Sequence, residues 1–338
     1  MQLVTRYNAI DVLKMFMAFL VIGIHVGAIF EIEYPLFLNF ILGTAVPFFF
    51  ICSGFFIQNK IIKTGNSFYT LKDSCKKYLK LYILWHLVYF PMALKHLWFN
   101  ERNFWGDMLY CLHQFLFVGE IIYSWPLWYL QGLIVAIIFI YVLQKAKFSL
   151  MKIWIISIIM MLIGYYIQIV TASASTNGNI LYYICQSSVD LWGTADRNGP
   201  FRGFALVTTG MMIRQYHHCI RYEYVLGIIC VTISWLLFYY SLPFHLIFSG
   251  GGLFIIASSI LLKNSPVYSA CRTHSTFIYF IHMYFVVIAH MLLKKNISNI
   301  REVYLTWFVI FFITWLFSLA FCKIKEKNSF HWLNHFIC

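Results

Sequence analysis

Long apolar runs follow one another along the chain, and no polar stretch between them is large enough to form a domain of its own. Nothing else in the sequence limits the fold as strongly. Apolar residues reach 61% and charged residues only 11%, against roughly 45–50% and 25% in soluble domains. So much apolar surface has no water-facing fold to hide in, and lipid must be the solvent. In a bilayer core backbone groups pair internally, by helix or by closed barrel. The runs are continuous and lack the alternation of barrel strands, so helices are expected.

A crossing helix needs about 20 mainly apolar residues. Spans are expected near 9–30, 38–58, 78–98, 126–145, 151–171, 200–216, 223–241, 244–262, 275–294 and 302–322. The run Met15–Phe30 lacks a convincing small-residue cleavage site and is kept as a mature helix rather than a signal peptide. Segment 105–123 is apolar but short, and His113, Gln114 and Glu120 interrupt it, so it is expected at the interface or as a re-entrant helix. Loop charge tests this count. With the N-terminus inside, cytoplasmic segments hold 17 of the 25 Lys and Arg, outer segments hold 7, and Lys14 lies within the first span. The bias predicts an all-α polytopic bundle of about ten spans, both termini cytoplasmic, forming one membrane domain over 1–338.

The same loops explain the net charge of +13, so nucleic acid is not an expected partner. The nine cysteines include no C-x-x-C pair, several lie inside apolar runs, and neither a disulfide framework nor a metal site is indicated. There is no Gly-x-Ser-x-Gly elbow.

Ionisable groups inside a membrane are costly, which makes each one a functional candidate. The first span carries Asp11, Lys14 and His25. At 100° per residue, Lys14 and His25 lie within about 20° of one line and Asp11 within about 40°, so the three share a face. Lys14 and His25 are about 16 Å apart along the axis, and Asp11 can pair with Lys14 at i, i+3. A polar stripe that merely holds helices together is the plainer reading. In the second span Pro47 frees a backbone carbonyl, and Ser53–Gly54 permit close helix approach: a bent helix with a tight seam. Gly250–Gly252 is read as close packing too. Late in the chain Tyr279 and His282 stand at i, i+3, which a satisfied buried pair would also explain.

Taken in order, these segments resemble the acyltransferase-3 family of bacterial membrane acyltransferases. Lys14 followed by His25 is similar to that family's opening basic-residue and histidine motif, with lysine where arginine is usual. The run Pro47 to Phe55 resembles its Phe-Phe-x-x-Ser-Gly-Phe/Tyr signature. Leu127–Trp128–Tyr129–Leu130 looks like its Leu-Trp-Phe/Tyr-Leu element, with Gln131 close to where some relatives carry Glu. Arg197–Asn198–Gly199 and the run Tyr279 to His282 resemble two later motifs.

The resemblance implies transfer of an acyl group, usually acetyl, from cytoplasmic acyl-CoA to a hydroxyl of a cell-surface glycan or its lipid-linked precursor. Acetyl-CoA would be a co-substrate, with no bound cofactor, and the protein would sit among the lipids of a bacterial inner membrane. His25 would act directly, as the base for the hydroxyl or through a transient acyl-histidine. Tyr279, His282 and Arg197 are candidate oxyanion donors. Lys72, Lys76 and Lys77 could hold coenzyme A phosphates or only set topology, and Lys14 could contact those phosphates or hold Asp11. Trp98, Trp105 and Trp125 are candidates for stacking on sugars, although interfacial belts place Trp similarly. Succinyl transfer, and a glycan transporter or flippase, are the rival readings.

Overall fold

In a computed structural model the described residues are 7–99, 104–173, 180–194, 199–217, 222–293, 299–325 and 336, with the side chains of 95–99 and 104 excepted. Among them there is helix and no strand. Six helical stretches are long and apolar enough to cross a membrane: Asn8–Ile29, Leu36–Thr64, Trp125–Lys145, Leu150–Ala172, Pro266–Leu293 and Ile300–Lys325. Glu223–Tyr239 and His245–Ser259 are apolar but shorter. The chain is thus an all-α, multi-pass membrane protein.

It divides into two compact units. The first comprises 1–49, 222–240 and 248–338, the second 50–221 and 241–247. The first is organised on α1 (Asn8–Ile29), which packs against α12 (Pro266–Leu293) and α13 (Ile300–Lys325). Two glycines let α1 take large rings at close range. A Cβ on Gly23 would meet the Trp307 indole at 2.5 Å, and one on Gly27 would strike Tyr34. The same rings are tied to α1 by hydrogen bonds: Trp307 Nε1 donates to the Phe19 carbonyl (2.7 Å) and Tyr34 Oη to that of Gly23 (2.9 Å).

The expected second span is broken in two, as α2 (Leu36–Gly43) and α3 (Ala45–Thr64). Pro47 accounts for the break: its ring has no room for a helical carbonyl four residues earlier, at Gly43. Helical bonding resumes from Phe48 N–H to the Thr44 carbonyl (3.1 Å). The predicted bend is therefore present. Gly250, on α11 (His245–Ser259), sits against it, since a Cβ there would lie 2.9 Å from the Pro47 carbonyl carbon. Gly252 meets the Gly227 carbonyl of α10 (Glu223–Tyr239) equally closely, so this glycine run is packing, in line with the sequence.

The second unit contains α4 (Ser67–Phe99), α5 (Phe104–His113), α6 (Trp128–Lys145), α7 (Leu150–Ala172), α8 (Ile180–Trp192) and α9 (Phe204–Tyr216). Its seam follows the Ser53–Gly54 expectation. A Cβ on Gly54 would enter the Val207 carbonyl, and one on Gly210 would enter that of Ile51, so α3 and α9 cross backbone to backbone. Ser53 Oγ and Tyr129 Oη are 2.8 Å apart, which ties α3 to α6. Three details differ from the sequence reading. The lysine-rich stretch before 78 continues as helix, so α4 runs about 50 Å. Residues 200–216 begin as a π-helical turn, Gly199–Gly203, before the short α9. Helix α8 has no counterpart among the expected spans. Segment 105–123 is short, as expected: α5 passes into a π turn, Gln114–Val118, and stops at Gly119 with φ +92°.

Candidate active site

Five ionisable side chains of the first unit, Asp11, Lys14, His25, Arg272 and His282, line up where α1 faces α12. At one end Asp11, 8% exposed, lies 3.8 Å from Lys14 Nζ and 3.6 Å from Arg272 Nε. Both distances exceed hydrogen-bond range, so this is a charge cluster of two cations about one carboxylate. Three turns along, the His25 and His282 rings stand 5.2 Å apart, tilted by 34°. Because Asp11 meets Arg272 and His25 meets His282, α1 and α12 run parallel. The expected topology has spans one and nine crossing in the same direction.

His282 is fully buried. Its Nδ1 lies 2.8 Å from the Tyr279 carbonyl and 3.2 Å from that of Ile278. Both neighbours only accept hydrogen bonds, so Nδ1 carries the hydrogen and Nε2 holds the lone pair of a neutral imidazole. That Nε2 has no hydrogen-bond partner among the described residues. A buried acceptor left unmatched is costly and calls for a reason. Tyr279 is buried beside it, ring to ring at 6.4 Å, with Phe49 edge-on at 5.2 Å on another side.

Of the residues singled out in the sequence, the first unit thus brings together Asp11, Lys14, His25, Tyr279 and His282. Pro47 shapes the helix bend in the same unit. Ser53 and Gly54 belong to the second unit's seam. Arg197 and Asn198 lie outside the described residues, as does the side chain of Trp98. Lys72, Lys76 and Lys77 stand exposed on α4, in the second unit. The Asp73 carboxyl among them is held below the usual carboxylate range by a hydrogen bond from Lys60 (2.7 Å), then by the charges of Lys60, Lys77 and Lys76.

Arg272 is the residue that sequence reasoning missed. Read from the sequence it is only a loop charge, and nothing local connects it to Asp11. Its one signal is spacing: it precedes His282 by ten residues, much as Lys14 precedes His25 by eleven. Each of two parallel helices therefore carries a cation and, about 15 Å further on, an imidazole.

A pair of imidazoles, His282 fully buried and His25 half-buried, with a charge cluster three turns along the same two helices, is equipped for proton transfer inside a multi-pass membrane protein. A family model described as an acyltransferase domain, that of the acyltransferase-3 family, matches residues 7–324. The chain belongs to that family, and it is a membrane acyltransferase. Comparison with the curated proteins and with the solved structures gives no match.

Proposed function

We propose that the protein moves an acyl group, acetyl in the first instance, from cytoplasmic acyl-CoA to a hydroxyl of a cell-surface polysaccharide or its lipid-linked precursor, in a bacterial inner membrane. The parallel α1–α12 pair carries this reading. Its Lys14–Arg272 end offers two cations to phosphate groups, with Asp11 fixing their position. Its His25–His282 end lies about 15 Å deeper. An extended pantetheine arm, which separates the phosphates of coenzyme A from its thioester, is of that order of length.

In the proposed step the acceptor oxygen attacks the thioester carbonyl carbon while His25 takes the hydroxyl proton. The carbon–sulfur bond breaks, and the leaving thiolate recovers a proton from the imidazolium. His282 holds a lone pair beside His25. Tyr279 is the candidate donor to the developing oxyanion.

The test is transfer of label from acetyl-CoA into glycan by membranes holding wild-type protein, His25→Ala or vector alone. Wild-type labelling that falls by about 10³-fold in the variant supports the reading. Equal labelling in both proteins removes His25 from the chemistry. No labelling by folded wild-type protein over a range of acyl-CoAs, succinyl-CoA included, overturns the enzyme reading in favour of transport.

A further inference from the structure

Helix α4 turns two kinds of side chain outward along a single stripe. At 100° per residue, Tyr69, Lys72, Lys76 and Lys80 fall within about 80° of one another. Ile83, Leu87, Phe90 and Leu94 continue the same line within about 60°. All eight side chains are exposed. The opposite side, with Leu71, Ser74, Leu81, Trp85 and Tyr89, is buried, and α4 packs against α6 of the same unit. The stripe thus has a cationic part about 12 Å long followed by an apolar part of about 17 Å.

The cationic part is fixed in place. Tyr69 N–H donates to Asn66 Oδ1 at 2.9 Å, which caps the start of α4. The Thr64 and Thr70 hydroxyls, 2.9 Å apart, hold the turn between α3 and α4, where Gly65 has φ +64°. Between residues 60 and 80 the sequence holds six lysines and one carboxylate, Asp73. That carboxylate takes its hydrogen bond from Lys60, at the end of α3. Lys72, Lys76 and Lys80 therefore form an ordered row of ammonium groups, with Lys77 at its side.

Neither half of the stripe suits water alone. Ile83, Leu87, Phe90 and Leu94 are 43–63% exposed, a run of uncovered apolar surface that belongs against acyl chains. With that half in hydrocarbon, the lysines one to two turns away stand at the level of the headgroups, their stems lying along the apolar boundary. Coenzyme A would satisfy the ammonium groups and leave the apolar half uncovered. A zwitterionic lipid would cover the apolar half but brings its own cation to the lysines. A phospholipid with net negative charge meets both needs, and each lysine adds to the attraction. We propose that this stripe of α4 is a binding face for anionic phospholipid, with headgroup phosphates on Lys72, Lys76 and Lys80 and chains along Ile83 to Leu94. In the expected topology these lysines are cytoplasmic, so the lipid comes from the cytoplasmic leaflet. Binding of this kind needs no acyl transfer.

The experiment is native mass spectrometry of the purified full-length protein, titrated with phosphatidylglycerol or with phosphatidylcholine of matched chains. The wild type should bind phosphatidylglycerol about tenfold more tightly. Lys72→Gln, Lys76→Gln and Lys80→Gln together should bring that preference to within about twofold. The same three positions changed to Arg should keep it, because the charge is kept. Acetyl-CoA adducts, read in the same way, should change by less than about threefold in the Gln variant. Equal binding of the two lipids by the wild type, a preference that survives in the Gln variant, or its loss in the Arg variant would overturn the proposal. Loss of acetyl-CoA adducts in the Gln variant with the lipid preference intact would overturn it too, and would give these lysines to the acyl donor.

Discussion

The two compact units handle buried polar groups in different ways. In the second unit, hydroxyls inside the helix seams are matched: Ser53 with Tyr129 at 2.8 Å, and Ser157 with Thr208 at 2.6 Å. Such bonds fasten helices and end there. In the first unit, His282 is anchored through one nitrogen while the other is left buried, without a partner among the described residues, beside a second imidazole. The cost of that arrangement makes sense if an incoming hydroxyl supplies the missing partner. His86 in the second unit shares the anchoring, with Nδ1 at 3.0 Å from the Tyr82 carbonyl, but its ring packs against Tyr82 and Phe115. An unmatched nitrogen alone is therefore a weak mark of chemistry. The second imidazole and the cationic end on the same helices are what set the first unit apart.

The sharpest way to break this comparison is His282→Asn. Asparagine keeps a donor where Nδ1–H stood but has nothing at the Nε2 position. The turnover number should fall about 10²-fold with the fold intact, as read by size-exclusion profile and steady-state kinetics. If His282 were only glue, the variant would behave as wild type. Gly54→Ala tests the other unit. Its methyl would meet a backbone carbonyl that has no rotamer to escape into, so about 2–3 kcal/mol of stability should be lost, seen as a lowered melting temperature in detergent.

Effects then grow smaller. Arg272→Gln should raise KM for acyl-CoA about tenfold with the turnover number retained, and Arg272→Lys should recover part of the loss. Replacing Lys72, Lys76 and Lys77 together by Gln should raise the same KM only about two- to threefold, an effect that fades in high salt, because exposed charges are well screened. A large loss in the lysine variant would move donor recognition to the second unit.

Much of this is legible in the sequence because it rests on local rules. Apolar run length sets the helical class, 100° periodicity puts Asp11, Lys14 and His25 on one face, and Pro47 and Gly54 announce the bend and the seam. What stays hidden is tertiary. Arg272 reaches Asp11 across most of the chain's length, and no window of sequence joins them. The partnership of His25 with His282 comes into view only through the family resemblance, and its geometry not at all. Helix α8 escapes notice because its thirteen residues are too short and too polar in places for a span.

The central claim is that one end of the α1–α12 pair binds the donor and the other performs the transfer. Steady-state kinetics of Arg272→Gln and His282→Asn with acetyl-CoA, measured side by side, test it most directly. The account predicts that the first raises KM and spares the turnover number, while the second lowers the turnover number and spares KM. Both variants shifting the same parameter, or neither shifting any, would contradict it.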